Sequence, residues 1–391
     1  MFKSKISFFS CLLALSTLSL IIILGPSNPF TVIKPTQENS ANEKYYCDLS
    51  EGKWVGEPKG SLYTNSTCRM LPEMKNCVKY GKDKGYLYWK WKPERCELPR
   101  FDAMEFLRVV RGKKMAFVGD SLARNQMESL LCLLSQAESP TDTYKDPTDK
   151  SQTWHFPSHN FTLMAIWSQF LVHATETTTT ININATLSNT FNLHLDKVNP
   201  KWSTDLLPHL HFILISAGNW FFRQNYLYLN ETLIGCIWCN DKNLTGFDAQ
   251  FAIRKVFRTT LQFIASCEEC DDGLVTLLRT FSPSHFEHGS WFTGGYCNRT
   301  QPLDEGELRF ERSKEMEIRG IQLEELERVR GKKRRFEVLD VTKAVMLRAD
   351  GHPGEHVNRK WTNSSIKDCL HWCLPGPVDM WNDVLLQTIK T

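Results

Sequence analysis

The chain has 391 residues, of which 41% are hydrophobic and 23% are charged, a composition typical of a globular protein with one large core or two smaller ones. The formal net charge of +3 is too small to favour nucleic-acid binding. Two short basic runs, at residues 111–114 and 330–335, each precede an apolar strand-like segment. We interpret them as solvated loops before strands and expect no nucleic-acid partner.

The N-terminus predicts a membrane anchor. Residues 6–24 form an almost uninterrupted apolar run, which Lys3 and Lys5 precede. About 20 apolar residues cross a bilayer, and positive charge on the short side keeps that end in the cytosol. A cleaved signal peptide is the alternative, but no small-x-small site follows the run. We expect a cytosolic tail and signal anchor over residues 1–25 of a single-pass type II protein.

Two further features indicate that the rest of the chain lies in the secretory lumen. There are seven N-x-Ser/Thr sequons, each a glycosylation acceptor only in that compartment: Asn65, Asn160, Asn184, Asn230, Asn243, Asn298 and Asn363. Of the 13 cysteines, Cys11 lies in the apolar run, which leaves an even number for the lumen. In an oxidising compartment these are expected to be mostly paired.

Two segments precede the regular part of the chain. Residues 26–44 are rich in Pro, Ser, Asn and Thr and predict a stem. Residues 45–100 have weak apolar periodicity and predict a small loop-rich module held by disulfides. Its four cysteines allow three pairings among themselves, and partners outside the module stay open. They are Cys47, Cys68, Cys77 and Cys96.

From residue 101 to the C-terminus, strands alternate with helices. Apolar runs predict strands at residues 115–118, 212–215, 274–278 and 336–339. Helical spacing predicts helices at residues 123–134, 251–264 and 380–389 and a charged helical region at 308–330. This alternation predicts an α/β fold, a mostly parallel sheet covered by helices on both faces, which binds ligands at the carboxyl ends of its strands. Residues 139–199 have no clear assignment.

Ser121 follows Gly119 and Asp120 directly after the first of these strands and opens a helix. The glycine permits a tight turn, and the unpaired N–H groups of a helix N-terminus stabilise an oxyanion. Serine is also a preferred N-cap, so the triplet alone leaves a purely structural role open.

Asp368 and His371 form the second motif, near the C-terminus. A serine needs an adjacent base to act as a nucleophile, and a histidine held by an aspartate is the usual solution. A capping aspartate and a packed histidine are the alternative. Cys369 and Cys373 bracket the histidine, which favours a rigid loop. The two motifs together predict an acyl-transfer or ester-cleaving enzyme, with Ser121 as nucleophile, His371 as base and Asp368 as the orienting residue.

The stretches GDSLARNQ at residues 119–126, DCLHWCLPG at 368–376 and CELPRF at 96–101 resemble the plant trichome-birefringence-like family. The resemblance covers residue 45 to the C-terminus. It implies an SGNH-hydrolase-like α/β/α catalytic domain over residues 101–391 and an O-acetyltransferase of cell-wall polysaccharides in the Golgi membrane. It also implies that Cys77 and Cys297 pair with Cys373 and Cys369. Cys132 is a further disulfide candidate.

The expected oxyanion donors are the Ser121 backbone N–H and Asn219. SGNH enzymes usually carry Gly-x-Asn-Asp after a central strand, whereas this chain has Gly218-Asn219-Trp220, so a turn role for Asn219 stays open. The candidate substrate contacts are Arg124, Trp220, His352 and Trp372. Arg124 alternatively pins the N-terminal module. For the tryptophans, which also include Trp89, Trp91, Trp202 and Trp291, core packing is the alternative.

Two groups of residues have the form of metal ligands. Cys236-x-x-Cys239 and Cys267-x-x-Cys270 match a zinc site in spacing, but in the lumen two disulfides are favoured. His285 and His288 are interpreted as solvated loop histidines. We expect no metal and no tightly bound cofactor.

The resemblance is nearest to the xyloglucan-acetylating group, through the two Cys-x-x-Cys pairs and residues 60–68 and 123–125. It implies transfer of acetyl through Ser121 to side-chain galactose, with xylan, mannan or pectin as other possible acceptors. Acetyl-CoA or a membrane transporter that delivers acetyl groups would be the donor. A polysaccharide acetyl esterase using the same residues and a non-catalytic wall-polymer-binding protein are the alternatives.

Overall fold

The computed structural model of the chain describes residues 47–177, 190–239, 241–291, 293–331, 333–358 and 367–390. The predicted tail, anchor and stem lie outside this part. Within it, no helix has both the length and the apolar character needed to cross a membrane. The N-terminal module and the residues after it pack as one unit.

The strands and helices of the described residues follow in chain order. The strands are β1 (Gly52–Gly56), β2 (Trp89–Pro93), β3 (Lys114–Gly119), β4 (Thr141–Lys145), β5 (Gln152–Phe156), β6 (Phe161–Trp167), β7 (Val172–Thr177), β8 (Thr190–Val198), β9 (Phe212–Ser216), β10 (Asn225–Leu229), β11 (Thr232–Ile237), β12 (Gly246–Phe247), β13 (Val275–Arg279) and β14 (Arg335–Leu339). The helices are α1 (Ala103–Val109), α2 (Ser121–Leu134), α3 (Pro200–Ser203), α4 (Ala249–Ala265), α5 (Lys314–Glu327), α6 (Thr342–Met346) and α7 (Asp379–Lys390).

A seven-stranded sheet lies at the centre, in the order β14-β13-β9-β3-β6-β5-β4. The five strands from β14 to β6 are parallel, and β5 and β4 continue the sheet antiparallel. Side chains of β3 alternate between its faces: Met115 and Phe117 pack in one apolar cluster, Ala116 and Val118 in the other. A strand buried on both faces has this continuous apolar run, which explains why the sequence predicts it.

Helices cover both faces of this sheet. Helices α1, α2 and α7 contribute Leu107, Leu130 and Leu385 to the cluster that contains Phe117. Helices α4 and α5 contribute to the opposite cluster, and the buried carboxylate of Glu325 accepts two hydrogen bonds from Arg258 between these two helices, at 2.8 and 2.9 Å. This three-layer arrangement is the predicted α/β/α sandwich, and every strand and helix predicted after residue 101 is present.

A second sheet, in the order β12-β11-β10-β8-β7, is absent from the sequence prediction. It packs on α4, where the Thr259 hydroxyl donates to the Leu195 carbonyl oxygen at 2.7 Å. In β8, Phe191, Leu193 and Leu195 are buried and alternate with polar residues. This period of two is the signal of a half-buried strand, so the information was present in the unassigned segment.

The N-terminal module is joined to the rest of the described chain by cross-links and hydrogen bonds. The Cys47–Cys96 disulfide joins two residues of the module, whereas the Cys68–Cys132 and Cys77–Cys373 disulfides link the module to residues outside it. The Trp54 indole N–H donates to the Ala344 carbonyl oxygen at 2.8 Å, and the Tyr63 hydroxyl donates to Asp379 Oδ1 at 2.8 Å. The module therefore packs on the face that holds α2 and α7.

The two Cys-x-x-Cys pairs form disulfides, Cys236–Cys239 and Cys267–Cys270, so their thiolates do not form the zinc site considered above. All five sequon asparagines among the described residues are exposed, as an acceptor must be: Asn65, Asn160, Asn230, Asn243 and Asn298.

Candidate active site

Ser121 is placed by the turn between β3 and α2. Asp120 is the N-cap of the helix, and its Oδ1 accepts the Leu122 N–H at 2.9 Å. At Gly119 a Cβ atom would lie 2.0 Å from the Ser216 carbonyl oxygen of the neighbouring strand β9, so only glycine allows this approach. The turn therefore holds the Ser121 hydroxyl, partly exposed, at the carboxyl edge of the parallel sheet.

Ser121, His371 and Asp368 form one hydrogen-bonded row. Ser121 Oγ lies 2.8 Å from His371 Nε2, and His371 Nδ1 lies 2.9 Å from Asp368 Oδ2. Because a carboxylate only accepts, Nδ1 carries the proton and donates it, and Nε2 accepts from the Ser121 hydroxyl. This is the arrangement in which histidine removes the proton of a serine nucleophile.

Asp368 is held in its charged form. Burial raises the pKa of this carboxyl, but the nearby His371 charge and three donors lower it further, so the net pKa lies below the usual range. The donors are the His371 side chain and the backbone N–H groups of His371 and Leu370, the latter two at 3.0 and 3.2 Å from Oδ1. An ionised Asp368 stabilises an imidazolium on His371.

The loop that carries Asp368 and His371 is cross-linked on both sides of the histidine. Cys369 is bonded to Cys297 and Cys373 to Cys77, the pairing that the resemblance implies. The Asp368 backbone also exchanges two hydrogen bonds with Gly354, at 2.8 and 3.0 Å. These contacts give the loop a fixed position without regular secondary structure.

Asn125 joins this loop to the helix of Ser121, a role that the sequence analysis missed. Its Oδ1 accepts the Trp372 backbone N–H at 2.8 Å, and its Nδ2 donates to the Trp372 carbonyl oxygen at 3.3 Å. Asn125 is fully buried one helical turn after Ser121. A polar residue on the apolar face of α2, four positions after the serine, was the available signal.

The structure corrects the prediction that Trp372 and His352 contact substrate. Trp372 is fully buried, and its indole N–H donates to Ser282 Oγ at 3.1 Å. His352 is 1% exposed, and its ring stacks on Trp372 with 4.2 Å between the ring centroids. Trp372 follows His371 directly in sequence, but its side chain is buried, so proximity in sequence was misleading for this residue; the ring of His352 packs against it.

His285 is not a solvated histidine, contrary to the sequence interpretation. Its Nδ1 lies 2.7 Å from His352 Nε2 and its Nε2 lies 3.0 Å from the Met346 carbonyl oxygen. His352 Nδ1 lies 2.8 Å from the His371 carbonyl oxygen. Burial lowers the pKa of His352 and lowers that of His285 to about 4, so burial disfavours a charge on either ring. The pair links the backbone of His371 to α6. His288 is exposed.

The contacts of Arg124 reach the N-terminal module indirectly, through Glu128. Its guanidinium lies 3.5 Å from Glu128 and donates to the Asp149 carbonyl oxygen. Glu128 also pairs with Lys75 of the N-terminal module. Within the described residues, Arg124 does not line the cavity beside Ser121. The substrate role predicted for Arg124 therefore has no support in its contacts.

An open cavity of about 610 Å³ lies over Ser121 and His371. Six tryptophan and phenylalanine side chains line it: Trp220, Phe222, Trp238, Phe281, Phe286 and Trp291. Trp220 and Trp291 are the predicted sugar-stacking residues that the structure brings to the site. Trp91 and Trp202 are buried, and Trp89 lies on another part of the described surface.

Asn219 also lines the cavity, in the turn after β9. One of its Nδ2 hydrogens donates to the Ser282 carbonyl oxygen at 3.1 Å, which leaves the second for a ligand. The Leu122 N–H is bonded to Asp120, so the Ser121 N–H and Asn219 are the candidate oxyanion donors.

A serine on a strand–helix turn, faced by a histidine–aspartate pair at the carboxyl edge of a parallel sheet, defines a serine esterase-type acyl-transfer site. The chain belongs to the GDSL/SGNH-like acyl-esterase family found in Pmr5 and Cas1p, whose model matches residues 98–388. A model of the PMR5 N-terminal domain matches residues 45–97.

The chain is also similar to individual plant proteins over most of its length. Xyloglucan O-acetyltransferase 4 of Populus trichocarpa is 48% identical over 97% of this chain and 91% of the relative. Xyloglucan O-acetyltransferase 2 of Arabidopsis thaliana is 47% identical over 88% and 83%. Protein trichome birefringence-like 25 of Arabidopsis thaliana is 41% identical over 90% and 78%. These similarities confirm the resemblance seen in the sequence motifs.

Proposed function

We propose that this protein is an acyltransferase that moves an acetyl group to a hydroxyl of xyloglucan, on side-chain galactose. The observation that carries the proposal is the row formed by Ser121, His371 and Asp368 at the base of an aromatic-lined cavity. The relatives named xyloglucan O-acetyltransferase, at 47–48% identity, supply the acceptor.

The first half of the reaction acetylates the enzyme. Ser121 Oγ attacks the acetyl carbonyl carbon of the donor while His371 Nε2 takes the hydroxyl proton. The Ser121 N–H and Asn219 stabilise the oxyanion, and Asp368 stabilises the imidazolium. Collapse of the intermediate breaks the bond to the leaving group, which takes the proton from His371, and leaves acetyl-Ser121.

The second half transfers the acetyl group. His371 Nε2 takes the proton of a sugar hydroxyl, whose oxygen attacks the carbonyl carbon of acetyl-Ser121. The bond to Ser121 Oγ then breaks, the serine regains a proton from His371, and the acetylated sugar leaves. A polysaccharide acetyl esterase would use the same residues with water in place of the sugar hydroxyl, so the two activities differ in what occupies the cavity.

The cellular setting belongs to the same proposal. The apolar run at residues 6–24 would anchor the protein in the Golgi membrane as a single-pass type II protein, with the site in the lumen. Six disulfides and five exposed sequons among the described residues support an oxidising, glycosylating compartment. Acetyl-CoA or an acetyl group delivered by a membrane transporter would be the donor, without a tightly bound cofactor.

The test is a transfer assay with the purified protein, an aryl acetate or acetyl-CoA as donor, and xyloglucan, xylan, mannan and pectin oligosaccharides as acceptors. The proposal expects acetylated galactose on xyloglucan, measured by mass spectrometry, in excess of free acetate. Net release of acetate from acetylated xyloglucan, without transfer, would instead identify an esterase. A higher rate of transfer to xylan, mannan or pectin would identify that polymer, rather than xyloglucan, as the acceptor.

A further inference from the structure

Trp238 has the most exposed large apolar side chain of the described residues, at 61%, and it lines the same cavity as Ser121 and His371. An exposed tryptophan at the mouth of a site is a signature of ligand binding rather than of folding, because its burial contributes little to stability in the free protein.

The backbone at Trp238 is held in an uncommon conformation. Its φ angle is +52°, in the left-handed region that bulky residues rarely adopt. Such a conformation persists only where the surrounding structure imposes it, and it is concentrated at functional sites. Because this backbone conformation is unfavourable in free energy, we interpret the direction of the Trp238 side chain as important for function.

The surrounding structure that imposes it is the short loop closed by Cys236–Cys239. Cys236 is fully buried in β11, where it pairs with Tyr226 of β10 and Gly246 of β12. Its N–H donates to the Thr245 carbonyl oxygen at 2.9 Å. One end of the loop, Cys236, is therefore fixed in the second sheet. The disulfide bonds the other end, Cys239, to the same strand β11.

We propose that Trp238 is the stacking platform of an acceptor subsite, which binds a neutral sugar ring of the glycan some units away from the hydroxyl that is acetylated. This inference rests on the proposed function and adds the residue that selects a polymer over a small alcohol. A sugar ring presents an apolar face of C–H groups, which packs on an indole ring, while its hydroxyls stay hydrated.

The aromatic part of the cavity lining fits the apolar faces of an extended glycan. Trp291, 49% exposed, and Phe286 line it with Trp238, so several aromatic surfaces lie along one opening. A volume of about 610 Å³ holds roughly two or three sugar rings. The acceptor, rather than the donor, is assigned to Trp238 because a polymer extends beyond the reacting atoms, and Trp238 is exposed at the opening.

The test separates the two half-reactions in the full-length protein. Trp238→Ala is expected to leave acetylation of Ser121 by an aryl acetate unchanged and to raise the KM for a long xyloglucan oligosaccharide about tenfold or more. Trp238→Phe, which keeps an aromatic face, should recover most of the loss. Cys236→Ser/Cys239→Ser should raise the KM by a smaller factor. Tyr144→Ala, an exposed aromatic on the edge strand β4, is the matched control and should change nothing.

A binding measurement distinguishes failure of this inference from failure of the proposed function. Affinity gel electrophoresis of Ser121→Ala in xyloglucan needs no catalysis, and adding Trp238→Ala should abolish the retardation. Loss of binding would support the subsite even if no acetyl transfer were found. Equal retardation and an equal KM in Trp238→Ala would overturn it. A slower acetylation of Ser121 in that variant would also overturn it, because Trp238 would then act on the donor or on the catalytic row.

Discussion

The two sides of the row formed by Ser121, His371 and Asp368 are positioned in different ways. Ser121 takes its position from a local feature, a glycine turn between a buried strand and a helix N-terminus. His371 takes its position from distant partners, since the cross-link of Cys373 spans 296 residues and that of Cys369 spans 72. The serine side is therefore part of the sheet, and the histidine side is a loop tied onto it. A serine site of this kind needs only one side to be built from regular structure.

If both sides act as one unit, removing either should cost as much as removing both. Ser121→Ala and His371→Ala are each expected to lower kcat by about 10⁴-fold to 10⁶-fold, and the double variant by no more, because residues that act together are not additive. Transfer rates with an aryl acetate donor and a xyloglucan acceptor measure this, with circular dichroism to show that each variant is folded. Multiplicative losses in the double variant would show that the two residues act separately.

Asp368→Asn tests the orientation of His371 from the loop side. The carboxamide no longer stabilises an imidazolium and favours the wrong tautomer of His371, so kcat is expected to fall about 10⁴-fold. Asp146→Asn, an aspartate whose side chain accepts hydrogen bonds from its own loop, is the matched control and should retain full activity. A KM increase with unchanged kcat would contradict the assigned role.

The disulfides allow the loop side to be weakened alone. Cys77→Ser/Cys373→Ser removes a link across 296 residues and is expected to lower the free energy of unfolding by about 2–5 kcal/mol. Cys267→Ser/Cys270→Ser removes a link across three residues, so its effect should be smaller. Chemical denaturation measures both, and kcat should fall only in the first variant. If Cys77→Ser/Cys373→Ser is as stable and as active as the unmodified protein, the loop of His371 does not need this disulfide to hold its position.

Asn125 is where the two sides meet, and Asn125→Ala separates them by the smallest change. Loss of both hydrogen bonds to the Trp372 backbone should shift His371 relative to Ser121 and lower kcat about 10-fold to 100-fold, with little change in the KM of the donor. Gln126→Ala is a matched control, because Gln126 is equally buried on the same helix but contacts Asn382 of α7. An equal loss of kcat in both variants would mean that Asn125 acts only through stability.

The same contrast explains how far the sequence could predict the molecule. Four of the five parallel strands of the central sheet, and the helices that cover them, are continuous apolar or amphipathic segments, so local periodicity reveals them. In strand β8, apolar residues alternate with polar ones, which is also a local signal. The strand lies in a stretch rich in threonine and asparagine, however, and the sequence analysis gives it no assignment.

The candidate site divides along the same line. Ser121, Asp368 and His371 can be recognised in the sequence because each lies in a short local motif. Ser121 follows a strand and a glycine, and Asp368 and His371 are three residues apart. Loop packing determines that Trp372 and His352 are buried and that Trp238 is exposed. No local sequence pattern predicts how loops held by disulfides pack. Asn125 is intermediate, since its position on α2 is local but its partner Trp372 is 247 residues away.

The most direct test of the account is the covalent state of Ser121. The purified protein is incubated with an aryl acetate in the absence of acceptor, quenched, digested and sequenced by mass spectrometry. We predict one acetyl group on Ser121, which disappears when xyloglucan oligosaccharide is added and reappears on the sugar. Acetylated sugar formed at an undiminished rate by Ser121→Ala, or an acetyl group carried by another residue on the way to the sugar, would contradict the account.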